Sequence, residues 1–184
     1  LADGLCIGAV LAREDCRDVL VTRTGISAKD LPAGSVIGTS SLRRELQIKA
    51  MNPFVEIRML RGNVPTRLQK LKDGQYDGII LAAAGLKRLH LEQEDGLFYE
   101  YFSKEDFLPA AGQGILAVEI CKDSLKEVMD CLNDENARAV LMAERAFLTA
   151  LDGSCNAPCG VCCEKSEDGF WISGMYAKDG KNLQ

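Results

Sequence analysis

The chain has 184 residues, 47% of them apolar, and a net charge of -5; this is enough apolar material for packed cores and too much for a disordered chain. No apolar run reaches the roughly 18 residues that would span a bilayer, so a membrane partner is not expected, and the acidic balance argues against general nucleic-acid binding. Eight cysteines, several spread through strand-like and helix-like patterns at Cys6, Cys16, Cys121 and Cys131, fit the reduced thiols of a cytoplasmic protein better than a secreted disulfide framework. The opening Leu1-Ala2-Asp3-Gly4 reads as neither a signal peptide nor an initiator methionine, and a piece of a longer protein is expected.

In chain order, Leu5 to Ala12 is an apolar run of strand length, and Val19 to Thr22 is a shorter one before the turn-rich stretch Thr24 to Gly34. A regular alternation follows. Ser35 to Thr39 predicts a buried strand, Ser41 to Met51 a helix, Val55 to Leu60 a strand, Val64 to Leu71 a helix, Gly78 to Ala82 a strand and Ala83 to Leu89 a helix. That β-α-β-α-β-α order is the pattern of a parallel α/β sheet with short connections. Glu92 to Glu105 reads as a polar acidic connection. Beyond it come a strand at Ile115 to Ile120, a helix at Ser124 to Leu132, and a further helix capped by Asn133 or Asp134 and running to about Ala150. That last helix carries apolar residues at Ala139, Val140, Met142, Ala143, Ala146, Phe147 and Ala150. Gly160 to Cys163 and Phe170 to Ala177, joined through Glu167-Asp168-Gly169, predict a hairpin.

Charge is unevenly distributed. Between Gly38 and Arg88 there are ten basic side chains against four acidic ones, which implies a local anionic partner. Gly38-Thr39-Ser40-Ser41-Leu42-Arg43-Arg44 places a glycine and three hydroxyls at a strand-to-helix junction, where free N–H groups and the helix dipole favour an anion. Simple N-capping by Ser40 or Ser41 is the plainer reading. The arginines tip the balance, because cations in a first turn oppose the dipole and need another reason to be there. Arg61-Gly62-Asn63 repeats the logic, with Asn63 a cap, Pro65 in the first turn and Arg67 one turn in. In an open α/β sheet ligands gather beyond the carboxyl ends of the strands, so Arg43, Arg44, Arg61, Arg67 and Arg88 are candidates for one cleft. Planar guanidinium forks suit a ligand with several carboxylates, against the alternative of a solvated basic face.

Cys155, in the turn-forming run Leu151-Asp152-Gly153-Ser154-Cys155-Asn156-Ala157-Pro158, is the candidate for covalent chemistry. Cys159, Cys162 and Cys163 follow closely, but their spacing matches no strong zinc pattern, and no metal is expected. His90, the single histidine, reads as a capping or surface residue, and Lys29-Asp30 as a solvated turn.

These residues carry a resemblance. Val36-Ile37-Gly38-Thr39-Ser40-Ser41-Leu42-Arg43-Arg44, Leu60-Arg61-Gly62-Asn63-Val64-Pro65-Thr66-Arg67-Leu68 and the run from Asp77 to Leu89 resemble the porphobilinogen deaminase (hydroxymethylbilane synthase) family. So do Leu108-Pro109-Ala110-Ala111-Gly112-Gln113-Gly114, Ala143-Glu144-Arg145-Ala146-Phe147 and the Cys155 loop, in the right order across nearly the whole chain.

The resemblance implies a periplasmic-binding-protein-like parallel-sheet domain followed by a partial α+β C-terminal domain. Residues 1–10 would be the end of domain one, 11–109 domain two, 110–133 a return to domain one, and 134–184 part of domain three. By the same implication Cys155 holds a dipyrromethane cofactor through a thioether, and Arg43, Arg44, Thr39 and Ser41 bind its carboxylates. Arg61, Arg67, Arg88 and Gln113 would meet the substrate, porphobilinogen. The implied reaction joins four porphobilinogen units into hydroxymethylbilane with loss of ammonia, in tetrapyrrole and haem biosynthesis, by a cytoplasmic monomeric transferase.

The family's catalytic aspartate lies in a Lys-Asp-Val-Pro stretch that would precede residue 1. Lys29-Asp30-Leu31-Pro32 imitates that stretch, but it aligns with an ordinary loop, so no catalytic residue is assigned here and the chain alone is expected to be inactive. The family's usual Gly-Gly-Cys-x-Val-Pro is Gly153-Ser154-Cys155-Asn156-Ala157-Pro158 in this chain. The alternative reading is a non-catalytic α/β module that binds a polycarboxylate.

Overall fold

A computed structural model of the chain describes residues 2–122, 125–151 and 158–177. Its centre is a five-stranded sheet built from β2 (Asp18–Thr22), β3 (Val36–Gly38), β4 (Glu56–Arg58), β5 (Gly78–Ala82) and β6 (Phe98–Tyr101), in the spatial order β4-β3-β5-β2-β6. The strands β4, β3 and β5 are mutually parallel. They are linked through α1 (Leu42–Met51) and α2 (Val64–Lys72), as the alternating sequence pattern predicts, and α3 (Ala83–Arg88) follows β5 directly.

The sheet is mixed rather than wholly parallel, because β2 runs antiparallel to both β5 and β6. β6 lies inside the stretch that the sequence presents as an acidic connection. Its four residues, Phe98 to Tyr101, are flanked by charge and too short to show a period of their own.

Burial follows the two-residue period of a strand. On one face Val19, Val21, Ile79 and Leu81 pack with Leu68, Leu71 and Leu86 from α2 and α3. On the other, Leu20, Ile37 and Ile80 pack with Ile48 of α1 and with the stacked pair Phe102 and Phe107. A strand buried on both faces loses the polar/apolar alternation that would mark its orientation, which is why β2 and β5 read only as apolar runs.

The remaining elements form two smaller layers. β1 (Leu5–Val10) pairs antiparallel with β7 (Ala117–Cys121), beside α4 (Lys126–Leu132). α5 (Glu135–Ala150) begins at Asp134, whose side chain accepts from the Ala137 N–H, and so settles which of the two predicted caps is used. Its buried face is Ala137, Val140, Leu141 and Glu144. The apolar positions taken from the sequence straddle that face, and Met142 points to solvent. The displacement arises because the centre of the buried face is a carboxylate, Glu144, which apolar periodicity does not register. The hairpin of β8 (Cys159–Ser166) and β9 (Gly169–Tyr176) packs against α5. No described helix is long and apolar enough to cross a membrane.

Candidate functional site

The site is built at the carboxyl edge of the parallel strands. β3 ends at Gly38, and the chain passes through Thr39, Ser40 and Ser41 into α1. Ser41 is the N-cap: its hydroxyl accepts from the Arg44 N–H at 3.4 Å, while the buried Thr39 hydroxyl accepts from the Ser41 N–H at 3.2 Å. The Ser40 hydroxyl donates to the Leu60 carbonyl at 2.6 Å and so ties this junction to the end of the neighbouring loop.

The first-turn arginines have a reason that the sequence leaves hidden. Because β2 runs antiparallel to β5, its first residue, Asp18, stands opposite the last, Ala82, and so at the same edge as the ends of β3 and β5. Asp18 is fully buried. Its Oδ2 accepts from Arg43 Nη1 at 2.6 Å and its Oδ1 from Arg44 Nε at 3.0 Å, with Arg44 Nη2 at 2.7 Å. Gln113 adds a third donor, Nε2 to Oδ1 at 3.1 Å. One carboxylate thus organises two guanidiniums and an amide, the arrangement in which a buried charge is tolerated.

Arg43 is 5% exposed and spends its donors inside the protein, on Asp18, on the Leu108 carbonyl at 2.5 Å and on Gln113 Oε1 at 3.3 Å. One helical turn on, Gln47 accepts from the Leu108 N–H at 2.6 Å and donates to the Leu108 carbonyl at 3.0 Å. Arg43 and Gln47 therefore hold Leu108, where the chain leaves the five-stranded sheet. Gln113 also donates to the Cys16 carbonyl at 2.6 Å and lies within this network.

Arg44 stands at the rim, its side chain 12% exposed. Burial holds its pKa below the ordinary arginine value, with Asp18 acting the other way and the charges of Arg43 and Arg67 adding to the depression. Two guanidiniums thus share a single carboxylate while a third, Arg67, bears on Arg44, a locally positive field that further carboxylates would relieve.

Arg67 is held by its own loop, Nε to the Gly62 carbonyl at 2.7 Å, which leaves its outer nitrogens pointing away from that contact. Arg61 is exposed, and its side chain has no partner among the described residues. Asn63 caps α2 by accepting from the Thr66 N–H, as the sequence predicts. Arg88 is also exposed but reaches another part of the chain, donating to the Gly114 carbonyl at 2.7 Å. The structure therefore gathers Arg43, Arg44 and Gln113 on Asp18, with Thr39 and Ser41 at the start of the helix that carries both arginines and the charge of Arg67 bearing on Arg44. Cys155 lies outside the described residues.

Sequence reasoning missed Asp18, Gln47 and the pair Arg13 and Glu144. Glu144, fully buried, accepts from Arg13 Nη1 at 2.7 Å, from the Gly112 N–H at 2.6 Å and from the Cys163 N–H at 2.9 Å. The one signal available was a charged residue inside or beside an apolar pattern. Among the described residues no group of three or more His, Cys, Asp or Glu side chains could hold a metal.

A family model described as "Porphobilinogen deaminase, dipyromethane cofactor binding domain" matches residues 1–129, which include the whole arginine cluster. The chain belongs to the porphobilinogen deaminase family. It is 47% identical over 171 residues to the porphobilinogen deaminase of Exiguobacterium sibiricum, covering 91% of this chain and 54% of that one. It is 45% identical over 186 residues to that of Syntrophobacter fumaroxidans, covering 100% and 59%. The chain thus spans between half and three fifths of the length of these curated relatives.

Two solved structures are more distantly similar. An arginine-specific periplasmic binding protein of Salmonella typhimurium aligns at 17% identity with a TM-score of 0.43, over 77% of this chain and 59% of that one. A substrate-binding protein of an amino acid ABC transporter from Streptococcus pneumoniae, bound to L-arginine, aligns at 19% with a TM-score of 0.42, over 78% and 56%. The fold described above rests on its own strand order and not on these likenesses.

Proposed function

We propose that this chain carries the cofactor- and substrate-holding machinery of a porphobilinogen deaminase, a transferase that joins four porphobilinogen units into hydroxymethylbilane and releases ammonia at each addition. The observation that carries the reading is the pair Arg43 and Arg44 on the single buried carboxylate of Asp18, with the charge of Arg67 bearing on Arg44, at the strand edge where α/β sheets bind ligands.

A dipyrromethane fits this donor set by its chemistry. Its acetate and propionate groups are planar anions, and the arginine forks are planar donors in excess of the one internal carboxylate. In this reading Cys155 anchors the cofactor as a thioether and Arg44 and Ser41 receive its carboxylates, while Arg43 and Thr39, expected from the sequence to do the same, are engaged inside the protein and position Arg44 and the start of α1. Arg61, Arg67 and Arg88 receive those of the incoming porphobilinogen, and Gln113, whose amide is spent on Cys16 and Asp18, orients the cluster behind them. When bound, the cofactor supplies the end to which successive units are joined.

The chain's own residues have separable tasks. Asp18 and Gln113 fix the guanidinium planes before a ligand arrives, so that little is lost to ordering on binding. Arg67 and Arg61, with unspent donors at the surface, meet carboxylates first. Arg44, at the rim, links the two sets. Asp18 has both oxygens engaged as acceptors and stabilises positive charge rather than delivering a proton. The whole chain's net charge of -5, with a locally basic cleft, fits a small anionic substrate rather than nucleic acid, and the protein is proposed to act as a monomer in the cytoplasm.

Intact-mass measurement on protein purified from cells that make porphobilinogen tests this directly. The expected result is a dipyrromethane adduct that maps to the Cys155 peptide and is absent from Cys155→Ala. An adduct that survives Cys155→Ala would overturn the assignment. Unmodified protein that still binds small dicarboxylates would instead favour a non-catalytic carboxylate-binding module.

A further inference from the structure

β1 and β7 reach the five-stranded sheet through two connections, residues 11–17 before β2 and residues 102–116 after β6. The connections cross at Glu14 and Gly114, where the Glu14 N–H donates to the Gly114 carbonyl at 3.0 Å. Gly114 has a φ of +87°, and a Cβ at this position would stand 2.3 Å from the Glu14 carbonyl oxygen, so only glycine lets the two backbones come this close. The crossing is tied again on either side. Arg13 Nε donates to the Gln113 carbonyl at 2.9 Å, and the Leu11 N–H to the Leu116 carbonyl at 2.9 Å.

The end of α3 grips this crossing from the sheet. Lys87 takes the first connection, with Asp15 at 3.2 Å and Glu14 at 3.5 Å. Arg88 takes the second, its Nη2 donating to the Gly114 carbonyl at 2.7 Å. That carbonyl accepts from Glu14 and Arg88 together, which occupies both of its lone pairs. Gln113, the neighbour of Gly114, donates to Asp18 in the arginine cluster, so the crossing adjoins the site.

Lys87 and Arg88 differ in what they have left to give. Among the described residues Arg88 makes this one hydrogen bond and, unlike Lys87, no salt bridge. Its side chain is exposed, and one bond uses one of the five N–H groups of a guanidinium. Those groups point in several directions within one plane, so a carboxylate can be received on the others while Nη2 stays on Gly114. The carboxylate bond, between two charges, is the stronger of the two.

We propose that Arg88 couples ligand binding to the crossing: a carboxylate on its free donors fixes the guanidinium that holds Gly114, and so fastens β1 and β7 to the sheet edge. The inference rests on the reading that Arg88 receives a substrate carboxylate. The coupling is reciprocal. A closed crossing presents Arg88 already oriented and favours the ligand; an open one leaves the side chain free and weakens binding by the same factor.

Amide hydrogen exchange of the full chain, resolved residue by residue by NMR, tests this with and without porphobilinogen. Without ligand, Arg88→Ala should speed exchange of the Glu14 and Leu11 N–H groups about tenfold, the order expected for one lost hydrogen bond to a charged group, and leave β3 and β5 unchanged. Retained protection of β3 and β5 shows in the same spectra that the variant is folded. Porphobilinogen should slow the same two amides about threefold or more in the unmutated protein and leave them unaffected in Arg88→Ala. Unchanged exchange at Glu14 in ligand-free Arg88→Ala would overturn the proposal, as would equal slowing in both proteins at saturation. Calorimetry separates the two inferences. Porphobilinogen that binds the unmutated chain without slowing Glu14 sinks the coupling alone, whereas no binding at all sinks the functional reading and the coupling with it.

Discussion

Oδ2 of Asp18 accepts a 2.6 Å hydrogen bond from Nη1 of Arg43, with neither side chain more than 6% exposed. This pair decides what the arginine cluster is. Without Asp18 three guanidiniums would crowd one strand edge; with it, two are held in fixed planes and the field remains positive.

Asp18→Asn keeps the shape and removes the compensating charge. Breaking a buried pair by removing one partner typically costs about 3–5 kcal/mol, so urea unfolding at low salt should show a loss of that order. Because the uncompensated arginines then need anions, added sulfate should recover a larger share of stability in Asp18→Asn than in the unmutated protein. Equal sulfate effects on both would show that the cluster is not electropositive.

Arg67→Ala and Arg43→Ala should separate binding from scaffolding. Arg67 makes one local backbone contact, and its loss should leave stability within about 0.5 kcal/mol while weakening porphobilinogen binding about tenfold. Arg43 is spent on Asp18, Leu108 and Gln113, so Arg43→Ala should lower stability by several kcal/mol, whatever its effect on binding. Calorimetry of binding beside urea unfolding reads both.

Glu144→Ala removes the acceptor shared by Arg13, Gly112 and Cys163 and leaves the buried Cys163 N–H and the part-buried Gly112 N–H and Arg13 Nη1 without it. Each such donor carries a desolvation penalty of about 1–3 kcal/mol. The expected outcome is a loss of hydrogen-exchange protection concentrated in β8 and in residues 112–114, with β3 and β5 unaffected. Protection lost uniformly across the sheet would contradict this division.

Asp15 provides the pH dependence. Hydrogen bonds donated to it by the side chain and backbone N–H of Arg17 and by Lys87 hold its carboxyl well below the ordinary carboxylate range, against the smaller opposing effect of burial. A carboxylate with a depressed folded-state pKa contributes its stabilisation in full above its unfolded value. That contribution is lost as pH falls from roughly 4 toward the folded value. Asp15→Asn should therefore lower the Tm at neutral pH and flatten its decline between roughly pH 4 and pH 2. A variant whose Tm falls in parallel with the unmutated protein throughout that window would remove Asp15 from the acid response.

Much of the scaffold was legible before any tertiary contact. Asn63 and Pro65 marked the start of α2, Ser41 the start of α1, and the apolar runs at Gly78 to Ala82 and Val19 to Thr22 fell where strands form, because caps and strand runs are local properties of the chain. β6 escaped because four residues within a charged stretch carry no periodic signal, and its pairing with β2 depends on a partner about eighty positions earlier. The buried face of α5 was misplaced for a related reason: apolar pattern does not see a glutamate that an arginine 131 positions away makes affordable to bury.

The sequence by itself determined that this is an α/β chain with arginines following strand ends, since those features depend on neighbours a few residues apart. Even the oddity of cations in the first turn of α1 was visible from Arg43 and Arg44 alone. Tertiary structure decided what those cations answer to. Only the antiparallel turn of β2 against β5 carries Asp18 to the carboxyl edge, and only packing of β8 against α5 and Pro109 brings the Cys163 N–H to Glu144 and the Val161 N–H to the Pro109 carbonyl. Direction of a buried strand and contact between distant segments are fixed by how the layers close, and no local pattern encodes them.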